Sequence, residues 1–171
     1  MLTNERIQQR LTEQFGEQIT EMGEPYGMLT FTVPAALNLK VMRFLHDDEE
    51  LRFRFLTDLT GVHYPDRKGE ELSVVYHLHN HIDGIRLRFK VYVPIEKPEV
   101  FTATQIFSGA NWMERETYDF FGINFIGHPN MTRILNVDEM DYFPMRKEYP
   151  MEDPTRVDKD DEMFGRGGTL A

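Results

Sequence analysis

The apolar positions of this chain change period several times, and each change marks an element. Ile7, Leu11 and Phe15 recur every four residues. With Thr3 or Asn4 as cap and Gly16 as stop, this predicts an amphipathic helix over 4–15. Residues 28–33 alternate Leu29, Phe31 and Val33 with Met28, Thr30 and Thr32, the two-residue period of a strand. Leu37, Val41, Phe44 and Leu45 return to helical spacing behind Pro34, predicting a helix over about 35–46 that the acidic run Asp47–Glu50 ends. Arg52-Phe53-Arg54-Phe55 opens a strand over 52–59, with both aromatics on one face and both cations on the other.

The clearest pattern follows. Leu72, Val74, Tyr76 and Leu78 share one face of a strand, and Ile85, Leu87, Phe89, Val91 and Val93 share the inner face of a return strand. Asp83-Gly84 reads as a two-residue turn, which would set Leu78 opposite Phe89 and Tyr76 opposite Val91. Past Pro98, a short helical piece is expected over Phe101–Phe107. A firmer helix spans about 110–121, capped by Ser108 or Asn111 and closed by Gly122. Mixed element order with a tight hairpin predicts an α+β fold: a single domain whose mixed, largely antiparallel sheet is covered by helices on one face, followed by an extended C-terminal tail. The core domain is placed at 1–136 and the tail at 137–171. Pro144, Pro150 and Pro154 forbid long regular elements in the tail. It carries ten acids and five bases, yet keeps Met140, Tyr142, Phe143, Met145, Tyr149, Met151, Met163 and Phe164. That apolar content suits a segment that docks on a partner better than a solvated tail.

Composition narrows the chemistry. A length of 171 residues suits one core. The formal charge of −10 argues against nucleic acid as a default partner. The absence of cysteine excludes disulfides, thiolate zinc sites and cysteine-held iron–sulfur clusters within the sequence. No apolar run approaches the ~20 residues of a membrane span. The start, MLTNERIQQR, has neither the cationic nor the apolar region of a secretory signal, so a bacterial cytoplasmic protein is the simplest expectation.

Four candidate sites emerge. His77, His79 and His81 alternate along a strand and could gather around a metal. The expected register sets them opposite Lys90, Arg88 and Arg86, and three cations would weaken a dication site. Those cations also form a basic face that Arg52 and Arg54 could join: either an ordinary solvated surface or a docking face for an acidic neighbour. Glu114 and Glu116 diverge around their helix, which disfavours paired acid–base work. Trp112, Arg115, Glu116 and Asp119 fall on one helical face. Arg115 could reach Asp119 one turn on, or the carboxylates could meet Arg133 and Arg146 downstream, in a partly buried ionic network; the alternative is an exposed salt-bridged surface with Met113, Phe120 and Phe121 facing inward.

The run Asn111-Trp112-Met113-Glu114-Arg115-Glu116-Thr117-Tyr118-Asp119-Phe120-Phe121-Gly122-Ile123, continuing through Phe125, Gly127-His128-Pro129 and Arg133-Ile134-Leu135, resembles the signature of the thirty-kilodalton, or C-type, subunit family of NADH–quinone oxidoreductase. Phe55–Val62 and Tyr76-His77-Leu78 look like upstream blocks of the same family, and the likeness covers roughly residues 30–150. Two departures stand out: His63 where the family commonly has an acid, and Tyr142-Phe143-Pro144-Met145-Arg146-Lys147-Glu148 where it has Gly-His-Pro-Leu-Arg-Lys-Asp.

The resemblance implies a structural, non-redox subunit in the peripheral arm of proton-translocating complex I, packed chiefly on the homologue of the D-type subunit. FMN, iron–sulfur clusters and quinone would belong to partner subunits. The location implied is the cytoplasmic face of the bacterial inner membrane, with membrane association only through the complex. Trp112, Glu114, Arg115, Glu116, Asp119, Gly122, Gly127, His128, Pro129 and Arg133 would serve the fold or assembly. Arg86, Arg88, Lys90, Tyr142, Phe143, Arg146 and Lys147 would dock partners. Equivalent subunits occur in quinone reductases fed by other donors and in membrane-bound hydrogenases. A small His-metal enzyme is the alternative of a different class.

Overall fold

The computed structural model describes residues 2–149, which form three α-helices and seven strands. Helix α1 (Asn4–Phe15) starts where the Thr3 hydroxyl accepts the Arg6 N–H, and ends at Gly16, which takes φ +57°. Its Ile7 and Leu11 are fully buried. Strands β1 (Thr20–Gly23) and β2 (Leu29–Thr32) pair antiparallel. After a turn at 35–37, α2 (Asn38–Asp47) buries Val41, Met42 and Leu45.

Three nine-residue strands follow: β3 (Phe55–His63), β4 (Leu72–Asn80) and β5 (Ile85–Val93). The main sheet runs β1-β2-β5-β4-β3, antiparallel except where β2 lies parallel to β5. Strand β6 (Glu99–Phe101), helix α3 (Ala110–Phe121) and strand β7 (Asn124–Ile126) complete the fold, with β6 and β7 in a separate parallel pair. One sheet face presents Phe31, Phe89 and Tyr76 to the helices. The Phe31 and Phe89 rings stack at 5.8 Å, and Phe89 and Tyr76 at 4.6 Å. The fold is therefore α+β, with a mixed, largely antiparallel sheet covered by helices on one face.

Several local expectations are corrected. The hairpin loop is four residues, His81–Gly84, because the Asn80 Oδ1 accepts the N–H groups of both Ile82 and Asp83 and so starts the loop before the turn residues. Leu78 consequently faces Leu87, and Tyr76 faces Phe89. The slip is an even number of residues, so the inward faces survive while every partner changes. His77 lies opposite Arg88 and His79 opposite Arg86, and His81 leaves the strand.

The 52–55 alternation does not form. Arg52 takes φ +48°, and residues 48–53 make a turn in which Asp48 accepts the Glu50 and Leu51 N–H groups. This turn buries Leu51 and Phe53 and starts β3 with Phe55 outward. The 101–107 piece is the end of β6 followed by a single turn, Phe107 N–H to Ala103 carbonyl, since Phe101 is taken by pairing with β7. Helix α3 begins at Gly109 without a side-chain cap: the Phe107 and Ser108 carbonyls of the preceding turn accept the Ala110 and Asn111 N–H groups.

Residues 137–149 hold no regular element yet touch the core repeatedly. The Met145 N–H donates to the Phe120 carbonyl, the Lys147 N–H to the buried His63 Nδ1, and the Phe143 ring lies against Gly122. Pro150, Pro154, Met151, Met163, Phe164 and the rest of the expected tail lie outside the described residues.

Helix α3 approaches the sheet through one small residue. A Cβ at Gly61 on β3 would sit 2.5 Å from the Phe121 Cδ2 atom. Gly61→Val should therefore lower unfolding stability by about 1–3 kcal/mol, an overpacking cost measurable by urea denaturation. An unchanged midpoint would contradict this packing.

Candidate assembly site

The Glu-Arg-Glu helix sends its charges in three directions. Glu114 is fully buried on the inward stripe with Ala110, Thr117 and Phe121. Its Oε1 accepts the Ala103 N–H and its Oε2 the Thr102 hydroxyl, both at 2.6 Å. Burial pushes its carboxyl up to about 7 despite those two donors. The buried His128 ring stands 4.0 Å away. His128 Nδ1 accepts the Asn130 N–H, which leaves Nε2 to donate to the Asn111 carbonyl. Gly127, at φ +85°, makes the turn that swings this ring under α3, and Pro129 follows it at the surface.

Arg115 turns sideways instead of reaching Asp119. It donates to the Thr132 and Arg133 carbonyls, with its guanidinium 4.8 Å from the exposed Trp112 ring. Glu116 is exposed.

Asp119 is the centre of the arrangement. Fully buried, its carboxylate accepts five hydrogen bonds among the described residues: from Arg133 Nη1, from the successive N–H groups of Ile134, Leu135 and Asn136, and from the Asn136 amide. Burial opposes the charge. The Asn136 and Leu135 N–H groups, then Arg133 and the Asn136 amide, overcome it and hold the carboxyl well below its usual range. Arg133 continues outward, donating through Nη2 to the Met140 and Tyr142 carbonyls.

Gly122 closes α3 at φ +75°, and a Cβ there would run into the Phe143 ring. Phe143 is bracketed by the guanidiniums of Arg133 at 5.1 Å and Arg146 at 4.7 Å, and Arg146 donates to the Phe121 carbonyl. Phe143 and Arg146 are thus engaged within the chain, while Tyr142 and Lys147 stay exposed. Of the two alternatives for the Trp112 face, neither holds whole: Asp119 is buried in an ionic network with Arg133 but not Arg146, and Trp112 and Glu116 are exposed.

The outer sheet face is less uniform than the sequence pattern suggests. The Thr32 hydroxyl, then Arg67 and last Lys90, hold the Glu21 carboxyl below its ordinary range, so an acid answers the cations at this end. Arg52 pairs with Asp83 at 3.5 Å, and Arg88 donates to the Thr30 hydroxyl. His77 lies 3.5 Å from Asp58. Among the described residues, no group of three His, Asp or Glu side chains is placed to hold a metal.

Sequence reasoning missed the partners of Glu114, namely Thr102 and Ala103, and the role of Asn136. A signal for the first existed: Glu114 sits at i+4 from Ala110 and i−7 from Phe121, inside an otherwise uncharged stripe.

Fold and site together define an α+β domain whose charged helix clamps its own C-terminal segment. Residues 31–155 match the family model described as respiratory-chain NADH dehydrogenase, 30 Kd subunit, and the chain belongs to this family. The C-type subunit of the NADH-quinone oxidoreductase of a Nocardioides species is 45% identical over 125 residues, 73% of this chain and 50% of that protein. Its Brucella ovis counterpart is 40% identical over 153 residues, 90% of this chain and 75% of the relative. The chain thus spans about half the length of the first of these relatives. Among solved structures, it is similar to a trypsin-resistant fragment of Nqo5, with 32% identity, a TM-score of 0.62 and coverage of 75% of this chain and 99% of that one. It is also similar to a chain of an archaeal membrane-bound sulfane sulfur reductase, with 25% identity, a TM-score of 0.73 and coverage of 98% and 94%.

The two carboxylates differ in what their removal should do. Asp119→Asn strands Arg133 in a buried setting and should cost about 3–5 kcal/mol in unfolding stability. Brief trypsin digestion should then cut after Arg133 in the variant and spare that bond in the parent; equal cutting would rule out the clamp. Glu114 acts in the opposite sense. Its carboxyl is raised in the folded state from 4.5 to about 7, so the stability it lends is complete below pH 4.5 and lost as pH rises through 7. At about 1.4 kcal/mol per pH unit that loss approaches about 3 kcal/mol. Denaturation between pH 4.5 and 8 should show a decline that Glu114→Gln flattens, and an equally steep variant would remove Glu114 as its source.

Proposed function

We propose that this chain is an architectural, non-redox subunit of the peripheral arm of a proton-translocating NADH–quinone oxidoreductase, supporting electron transfer from NADH to quinone without taking part in it. The observation that carries the proposal is the use made of the signature charges: Asp119, Arg115 and Arg133 are committed to backbone groups of residues 132–142. What they hold in place is a surface, not a reaction centre. Trp112, Leu135 and Val137 stand 64%, 68% and 63% exposed, and Tyr142, Met145 and Tyr149 continue the apolar side chains. Large apolar groups left in water on an ordered segment suit a protein–protein contact.

In this reading residues 135–149 dock on the homologue of the D-type subunit, with Tyr142 and Lys147 as exposed contacts. FMN, the iron–sulfur clusters and quinone sit in partner subunits, in keeping with a sequence that has no cysteine. No helix among the described residues is long and apolar enough to cross a membrane. The chain would therefore reach the cytoplasmic face of the inner membrane through the complex. The relatives at 40–45% identity carry the NADH–quinone name, which favours that donor over the one of the archaeal sulfane sulfur reductase, similar at 25%.

The experiment is affinity purification of the tagged chain from its own host. Membrane and cluster-binding subunits, including the D-type homologue, should co-purify with NADH:quinone activity. Leu135→Asp with Val137→Asp should leave the melting temperature of the isolated chain within a few degrees of the parent while lowering recovered complex severalfold. A chain that purifies alone, or full complex yield from the double variant, would reject the proposal.

A further inference from the structure

The end of the outer sheet face nearest the hairpin loop carries charge that the fold does not use. Arg86 on β5 is exposed, and among the described residues it has no carboxylate partner. Across the ladder lies His79, whose ring is 4.2 Å from the His81 ring; His81 in turn packs 4.9 Å from Phe55, the outward residue of β3 opposite His79. One step along, Arg88 lies opposite His77 and directs its guanidinium to the Thr30 hydroxyl, a neutral acceptor that leaves the charge uncompensated. The groups around His79 are therefore Arg86 and Arg88 from β5, His77 and His81 from its own strand and loop, and Phe55 and Asp58 from β3, with exposed Arg54 just before that strand. Asp58 is the one acid among them, and it is directed to His77.

We propose that the surface formed by His79, His81, Phe55, Arg86 and Arg88 docks an acidic polypeptide segment of a neighbouring protein in the complex, and that seating a carboxylate there draws a proton onto His79. Charge complementarity selects the occupant. A cluster of cations without matching acids, on a chain of net charge −10, calls for a few carboxylates at short range. A second copy of this chain would bring the same negative excess against its own, and a long polyanion would meet that excess beyond the patch. The exposed Phe55 ring and the tilted, closely packed imidazoles of His79 and His81 give a ring-lined floor to a charged rim.

The proton follows from the neighbours. Burial, then His81 and Arg86, hold the His79 imidazole below its ordinary value in the free chain. A carboxylate bridging Arg86 and His79 offsets the repulsion and stabilises the imidazolium. Binding and protonation then strengthen each other.

This surface deepens the assembly reading by naming the chemistry of one contact, and its test is made on the isolated full chain. The probe is an acetylated, amidated hexaglutamate peptide followed by NMR of the isotope-labelled protein. Amides of residues 77–88 should shift, the His79 ring should titrate at higher pH with peptide than without, and affinity should be at least about threefold greater at pH 6 than at pH 8. Arg86→Ala should weaken binding, and His79→Gln should remove the pH dependence while both variants keep the parent's circular dichroism. Shifts scattered away from this face, pH-independent affinity, or preference for phosphatidylglycerol vesicles or single-stranded DNA over the peptide would each overturn the proposal. Failure here with intact co-purification would remove this surface and leave the assembly reading standing.

Discussion

A buried carboxylate must be answered by donors, and the answer given to Asp119 governs how residues 132–149 are laid down. Three of its five donors are consecutive backbone N–H groups, from Ile134, Leu135 and Asn136. They converge on one oxygen only if the backbone curls around it, an anion-binding nest made of the chain itself. That curl aims Arg133 at both the Asp119 side chain and its backbone carbonyl, and leaves its other nitrogen free for Met140 and Tyr142. The path of residues 137–149 back over α3 and β3 follows from there.

The carboxylates of α3 divide the work by environment. Asp119 meets a guanidinium and a ring of N–H groups and is held charged. Glu114, one and a half turns earlier, meets two donors and no cation at contact distance, so burial dominates and its proton is retained to higher pH. One fastens the segment after β7; the other fastens the loop after β6 through Thr102 and Ala103. Helix α3 thus fastens two pieces that the main sheet alone would not hold.

Much of this is legible in the sequence where period and geometry are strongly coupled. The 4–15 helix, the inward faces of the hairpin, and the αL closure at Gly122 come from spacing and glycine chemistry alone. Failures fall where a side chain overrides the local pattern. Asn80 captures two loop N–H groups and lengthens the turn, Asp48 winds 48–53 into a turn in place of a strand, and pairing with β7 draws Phe101 out of a helix. Strand β1 leaves no alternation to read, since it includes Glu21 at φ +51° and is short and bulged. The divergence of Glu114 and Glu116 is readable from helical geometry; the donors that meet Glu114 are not, because they lie on a loop whose position depends on the β6–β7 pair.

The arginines of this acidic chain fall into two sets. Arg115, Arg133 and Arg146 all donate to backbone carbonyls, and only Arg133 also takes a buried carboxylate. Carbonyls fix a path without cancelling charge, so these guanidiniums order the C-terminal segment while α3 retains the exposed Glu116 nearby. Arg86 stands apart on the far side of the sheet, bound to no acid of the described residues, where burial first, and Arg88 and Arg86 after it, lower the pKa of His77 and of His79 respectively. A partner that brings carboxylates to that face gains attraction from groups the fold has no use for. A partner on the Trp112–Val137 face gains from burying apolar surface that the clamp has already ordered. On the proposed assembly reading, two contacts of different chemistry on opposite sides of one small domain would let the subunit set the relative orientation of its neighbours.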